Sequence, residues 1–433
     1  MKRTGLQGGI AGMSVLLFLL CDRQPTLPPP HYTIDAVDSV LTASIPLSIT
    51  TVLNASHTSI SRYGINPLIA VAGNSDNSFD VALYASQTRQ IQVLSFDANG
   101  TKTGEITPAA ITGARALLGF AKITDDGSFV AGWSKDNAFG NQAFEFWITR
   151  FDKTGNELFS TRIFGDKNRD SLWSKGEPGA FSSARIAFNP TTRKIGFYCG
   201  HTMKWGDSVR HQGGFVGFMD LAGAFDTANG WFFSHNFDQR FVVVDSFYYA
   251  LAHGDAYPRA LGFSKWNDVP PRGRNLVDAQ YFAIPGNIGD NTTNTQTGGI
   301  QPLPDGNFGV VFSSSVNRSS YASYDVCYMK ISAAGSVLAT VWLTGYDAAT
   351  FALFPKIAGF SGNLLIAWEE VTGGVPVTRT VVIDMAGNCL SPAGELDNVR
   401  LSPFCDLVTL PGGGIVWATL KAADTLSLCR ITP

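Results

Sequence analysis

Charge is scarce in this chain of 433 residues. Asp, Glu, Lys and Arg make up 15% of it, against roughly a quarter in an average soluble protein. That composition excludes a disordered polyelectrolyte and argues against a protein of long solvated helices. The formal net charge is −3 and no long basic run occurs, so the electrostatic footprint expected of a nucleic-acid binder is missing. The apolar stretch Met13–Leu20 is short of the roughly 20 residues needed to span a bilayer. Cysteine is present but forms no CxxC pair and no zinc-ribbon spacing. Protein-kinase, P-loop, nucleophile-elbow and zincin patterns are absent, as are regular Trp-Asp and kelch signatures. What the chain does have is 45 Gly, 30 Phe and 9 Trp, a composition suited to many short strands joined by tight turns. A chain of this length can bury a sizeable core, and an all-β closed architecture can use the whole of it as one domain.

The first 21 residues have the layout of an export signal: Lys2 and Arg3, then an apolar core, then Cys21. They resemble a bacterial lipoprotein signal, in which the cysteine after the apolar core is lipidated and becomes the new N-terminus. Leu20 departs from that pattern, because Gly, Ala or Ser usually stands there. The resemblance implies an exported protein anchored through Cys21 to the outer membrane or cell surface. Residues 22–31, with the prolines between Pro25 and Pro30, then form a semi-rigid tether. In an exported protein one disulfide is expected among Cys389, Cys405 and Cys429, whereas Cys199 and Cys327 sit in apolar strands and are expected as buried thiols.

From residue 32 onward two hairpin signatures alternate. One is a tip before an apolar strand, as at Asp125-Asp126-Gly127, Asp305-Gly306, Ser361-Gly362 and Gly412-Gly413. The other is a strand ending in Asp or a stand-in before a Gly-containing tip, as at Asp97–Gly100, Asp152–Gly155, Asp220–Gly223, Ser332–Gly335 and Asp384–Gly387. Glycine at such tips supplies positive φ between strands. The signatures recur with a period of about 55 residues, four strands per unit. Six units begin near Ile65, Leu117, Ala184, Phe237, Ile300 and Ala352. A seventh begins near Leu401 and stops after three strands (Phe404–Leu410, Gly414–Leu420 and Leu426–Ile431). The unassigned run His31–Thr42 is the candidate for its fourth. The pattern predicts an all-β, seven-bladed β-propeller whose last blade is completed by an N-terminal strand, leaving no open sheet edge in the ring. The fourth unit is the least regular, since Pro270-Pro271-Arg272-Gly273 replaces a tight turn.

In such a ring the short glycine tips share one face and the long polar connections share the other. Four of the six histidines, His201, His211, His235 and His253, fall in or beside those connections in two neighbouring units. Long loops on a rigid scaffold are where binding and catalysis concentrate. The export signal, the four-strand repeats and the phrases Ser234–Arg240 and His253–Arg259 resemble those of uncharacterised exported β-propeller (lipo)proteins of bacteria. That resemblance implies the fold and carries no established activity.

Four chemistries fit the stretch His201–Arg259. As a ligand cradle, Lys204, Arg210, Arg240 and Arg259 hold an anionic group such as a uronate, Trp205 and Tyr257 serve as stacking platforms, and Asp255 is a further ligand-binding candidate. The planar arginine fork suits a carboxylate. As a metal site, His201, His211, His235 and His253 bind a divalent ion, though their spacing matches no fixed motif. As a polysaccharide lyase or hydrolase, His211, His235 or Tyr257 abstracts a proton next to a carboxylate that arginine neutralises. In the fourth, purely structural reading, the polar residues pin loops together, with Arg240 and Arg259 paired to Asp238 and Asp255. The sequence favours a non-catalytic module that binds a glycan or an envelope protein, with the lyase or hydrolase as the alternative; a divalent metal is the one cofactor the residues suggest.

Overall fold

A computed structural model describes residues 17–18, 33–40, 69–85, 88–136, 144–164, 177–178, 184–204, 210–226, 231–234, 236–254, 259–269, 274–284, 295–315, 323–347, 349–396, 399–402, 405–422 and 425–432. Among them no helix occurs. The strands form seven antiparallel blades in a ring, a seven-bladed β-propeller. Blades are numbered here in chain order and their strands A to D from the axis outward. Blade 1 comprises Ile69–Gly73, Phe79–Ala85, Gln90–Phe96 and Lys102–Ile106. Blade 2 comprises Ala114–Lys122, Phe129–Asp136, Phe144–Phe151 and Glu157–Phe164. Blade 3 has Ala184–Asn189, Lys194–Lys204 and Arg210–Asp220 as strands A to C. Blade 4 comprises Asn236–Val244, Phe247–Gly254, Arg259–Asn267 and Arg274–Ile284. Blade 5 comprises Gln296–Pro302, Phe308–Ser314, Asp325–Ile331 and Val337–Trp342. Blade 6 comprises Thr350–Phe360, Asn363–Thr372, Val375–Ile383 and Gly394–Leu396. In blade 3 the outer strand is divided into Phe225–Asp226 and Trp231–Ser234. A two-residue strand, Leu17–Phe18, runs parallel to strand D of blade 5.

The ring closes as the repeat count predicts. Strand A of blade 7 is reduced to Val408–Thr409, and Ile415–Ala422 and Thr425–Thr432 follow it. Thr33–Val40 then supplies strand D, antiparallel to Thr425–Thr432 from Thr33 opposite Thr432 to Val40 opposite Thr425. Residues 270–273, the irregular turn of blade 4, lie outside the described residues.

Turn chemistry explains why the blades repeat. At the first C–D tip the Asp97 carboxylate accepts the backbone N–H groups of Asn99 and Thr101, both at 2.8 Å. Gly100 takes φ 82°, which a residue with a Cβ adopts only under strain. Asp152, Asp220 and Asp384 repeat this cap, and Ser332 does the same through its hydroxyl. These tips also join the blades. Thr161 of blade 2 donates to Gly223 O, Tyr281 of blade 4 to Gly335 O, and Tyr328 of blade 5 to Met385 O, at 2.7–2.9 Å. One short motif therefore ends a hairpin and seats it on the preceding blade.

The apolar residues lie between blades. Phe79 stacks on Phe96, Phe129 on Phe151, and Phe241 on Tyr248, while Trp342, Trp368 and Trp417 are fully buried. Cys199 and Cys327 are buried free thiols, as expected. The disulfide expected among Cys389, Cys405 and Cys429 needs correction. Cys389 is disulfide-bonded, but Cys405 and Cys429 are free. The latter two are buried in the core around blade 7, and Cys389 packs into a different one.

Candidate functional site

Innermost strands normally carry alternating small and apolar residues toward a propeller's axis. Here several depart from a regular ladder at one level. Strand A of blade 4 has an irregularity between Asn236 and Asp238, strand A of blade 5 between Thr297 and Gly299, and strand A of blade 6 between Leu353 and Lys356. A bulge changes which side chains face which way and is found beside functional sites more often than elsewhere. The one in blade 6 contains Phe354 at φ 51°, buried and left-handed, followed by Pro355. A bulky residue there is strained and needs a rigid surround. Gly298 supplies part of it. A Cβ on Gly298 would lie 2.4 Å from Pro355 O and 2.7 Å from Val311 O, so the blade 5 and blade 6 backbones touch only because position 298 has no side chain.

These irregular strands bring five charges into the channel. Arg185 comes from blade 3, Asp238 and Arg240 from blade 4, Lys356 from blade 6, and Asp406 from just before strand A of blade 7. Asp406 is the hub: Arg240 Nε lies 2.9 Å from it, and Arg185 Nε and Lys356 Nζ lie 3.3 Å from it. Asp238 accepts from Arg240 Nη1 at 2.7 Å and has Arg185 Nη2 at 3.6 Å. Arg240 also donates to Gly298 O and Gln239 O. Arg185 Nη2 is buried without a hydrogen-bond acceptor. Three cations thus face two carboxylates.

The electrostatics follow from burial opposed by pairing. Burial favours a neutral Asp406, but Arg240, Arg185 and Lys356 outweigh it and hold the carboxyl well below its usual range. Asp238 is lowered in the same way by Arg240 and Arg185. Burial also disfavours the Arg240 cation, and its two aspartates more than compensate. Lys356 is the exception. Its side chain is 1% exposed, and burial, then repulsion from Arg240, bring its ammonium down to about 8.

Beside the cluster lies a cavity of about 330 Å³. Arg240, Lys356 and Asp406 form its floor. Its walls continue along strands A of blades 4 to 7 to Val242, Pro302 and Thr409, beside the short A–B turns. The mouth is therefore on the short-turn face, opposite the long connections that sequence reasoning favours.

The sequence-designated residues divide as follows. Arg240 is in the channel, where it is held by Asp238 and Asp406 and is not splayed on a loop. His253 stands across the ladder from Asp238, and its Nδ1 accepts the Thr297 N–H at 3.0 Å, with the Thr297 hydroxyl 2.9 Å away. That lone pair is thereby committed to blade 5. His201 and Lys204 lie at the end of strand B of blade 3, with Arg210 and His211 opposite them at the start of strand C. Arg259 opens strand C of blade 4. For these five the backbone position alone is described. Cys21, Trp205, His235, Asp255 and Tyr257 lie outside the described residues. Sequence reasoning missed Arg185, Lys356 and Asp406. Their signal was a lone charge in an otherwise apolar innermost strand, recurring at one place in the repeat.

No protein-family model matches the chain, and no curated protein matches it. Among solved structures, an endo-arabinase from Bacteroides thetaiotaomicron VPI-5482 aligns over 57% of this chain and 92% of its own, with 12% identity and a TM-score of 0.33. A puromycin hydrolase aligns over 88% and 61%, with 11% identity and a TM-score of 0.39. A triple arginine-to-alanine mutant of AofleA from Arthrobotrys oligospora aligns over 85% and 91%, with 10% identity and a TM-score of 0.37. These are distant likenesses of chain path, and the fold itself rests on the strand pairing: a seven-bladed β-propeller closed by its own N-terminal strand.

Proposed function

We propose that the protein is a non-catalytic binding module of the bacterial cell envelope that takes a carboxylate-bearing glycan, with the acidic group held in the central channel. The observation that carries this reading is the pair of buried cations on the cavity lining, Arg240 and Lys356, which share the carboxylate of Asp406 there. An uncompensated buried charge costs several kcal/mol, so a lining of this kind favours an anionic guest. A ligand carboxylate seated on Arg240 and Lys356 would add a counter-charge to this set. The export signal and proline-rich tether read from the sequence fit such a role.

Titration calorimetry with uronate-containing oligosaccharides, against neutral ones of the same length, tests the reading. Acidic sugars are expected to bind and neutral ones to fail. Lys356→Met should weaken binding about 10- to 100-fold at pH 7, the worth of one charge-assisted hydrogen bond. Equal binding of neutral sugars, or indifference to Lys356→Met, would remove the channel from the site.

A further inference from the structure

We propose that the channel is a closed cup filled end-on from the short-turn face, so that its ligand is a single carboxylate-headed unit: a small free acid or the acidic residue that ends a chain, and not an internal stretch of polymer. This inference rests on the reading of the channel as an anion site.

The first observation is that the ion pairs cross the axis. Arg185, Arg240 and Lys356 reach Asp406 of blade 7 from blades 3, 4 and 6. A polymer threaded along the axis would have to pass between these paired side chains and part them. The second is direction. Every wall of the cavity runs from that floor toward the A–B turns, Asp245–Ser246 in blade 4, Leu303–Asn307 in blade 5 and Leu410–Gly414 in blade 7. The third is size and lining. About 330 Å³ is at the small end of ligand pockets and suits one ring-sized unit. Above the charged floor the collar is apolar, with Ile300, Ile357 and Leu407, and polar groups return at the rim with Gln301 and Thr409. That order matches a ligand whose carboxylate leads, whose body offers C–H surface and whose far end is wet.

Charge gives the cup a proton-linked signature. Burial and Arg240 bring Lys356 to about 8, so above that pH much of it is neutral. Seating a carboxylate beside it favours the ammonium form, so binding draws a proton from solution.

The experiment uses four probes on the intact protein: free glucuronate, an oligosaccharide with a uronate at its non-reducing end, one with a uronate at its reducing end, and one with uronates only at internal positions. Each is titrated at pH 8.5 in two buffers of different ionisation enthalpy. The free acid or a terminal-acid chain is expected to bind, with net proton uptake that is lost in Lys356→Met, and the internal-acid chain is expected to fail. Thr409→Trp and Gln301→Trp, each checked for native circular dichroism, should each block binding by at least tenfold, whereas Leu158→Ser, at an exposed position on the outermost strand of blade 2, should leave it unchanged. Binding of the internal-acid chain, still dependent on Lys356, would overturn the cup while keeping the anion site. Unaltered binding in both rim variants would overturn the direction of filling. Failure of every acid would remove the anion site itself.

Discussion

Asp406 and Lys356 share one ion pair yet should respond oppositely to replacement. Asp406 neutralises three cations, and Asp406→Asn takes that shared carboxylate from all of them. Its side chain keeps 36% of its surface open to the cavity, which screens part of the effect, so a loss of about 2 kcal/mol is expected in denaturant unfolding. Lys356→Met removes the cation whose burial is least compensated, and it should stabilise the protein by about 1–3 kcal/mol near pH 7. The sign with pH follows from proton binding. The folded lysine titrates near 8 and the unfolded one near its ordinary 10.5, so between these values the unfolded chain holds more protons and wild-type stability rises with pH. The variant's advantage should therefore be full below pH 8 and nearly gone by pH 10.5, a comparison that unfolding curves at three pH values provide. Thiols give an independent check. Burial raises the Cys199 and Cys327 thiols and brings Cys405 to about 11. Native protein should thus react slowly with a thiol reagent at pH 8, and unfolding should release the four free cysteines.

For single elements, the bulge of blade 6 and the glycine against it form a unit. Gly298→Ala sets a Cβ against two backbone carbonyl oxygens, neither of which can rotate away. A loss of about 1–3 kcal/mol is expected, together with weakened binding of acids, because the same shift moves Lys356. Normal stability in Gly298→Ala would show that the contact between the two strands is loose. The hairpins were legible in the sequence because their chemistry is local. An Asp or Ser followed by Gly three residues later caps a tip wherever it occurs, and period-two alternation marks the strands. The channel cluster was not legible, because Arg185, Arg240, Lys356 and Asp406 are far apart in the chain and meet only once the ring is built. A local hint did exist in Pro355. Proline inside an innermost strand cannot donate to the ladder and marks a bulge, and the lone Lys356 beside it shows where that bulge points. Much of the histidine-rich stretch has only its backbone described or lies outside the described residues. Of that stretch Asp238, Arg240 and His253 have described side chains beside the channel, and all three already have partners.

At the scale of the whole molecule, the number and closure of blades followed from counting strands, because a terminal unit one strand short requires a donor and the chain has one at its other end. A chain beginning at residue 41 lacks Thr33–Val40 and leaves Thr425–Thr432 as an open edge in blade 7. It should unfold at a lower temperature than the full chain and associate at high concentration through that edge. Supplying the Thr33–Val40 peptide in trans should reverse both effects. A truncated chain that stays monomeric and equally heat-stable would show that the strand is an accessory.

The same closing strand also bears on time. Its partner lies almost the whole chain away, so blade 7 cannot be finished until Thr425–Thr432 has been made and the entropic cost of joining the two distant segments has been met. Thr33–Val40 must wait for that partner while six blades assemble in order beside it. Once docked, it has the opposite character: the ring cannot unravel from either end without first parting Thr33–Val40 from Thr425–Thr432. Closure therefore acts as a latch, slow to set and slow to release, and the lifetime of the folded protein is governed more by the rate of opening at this seam than by the stability of any one blade.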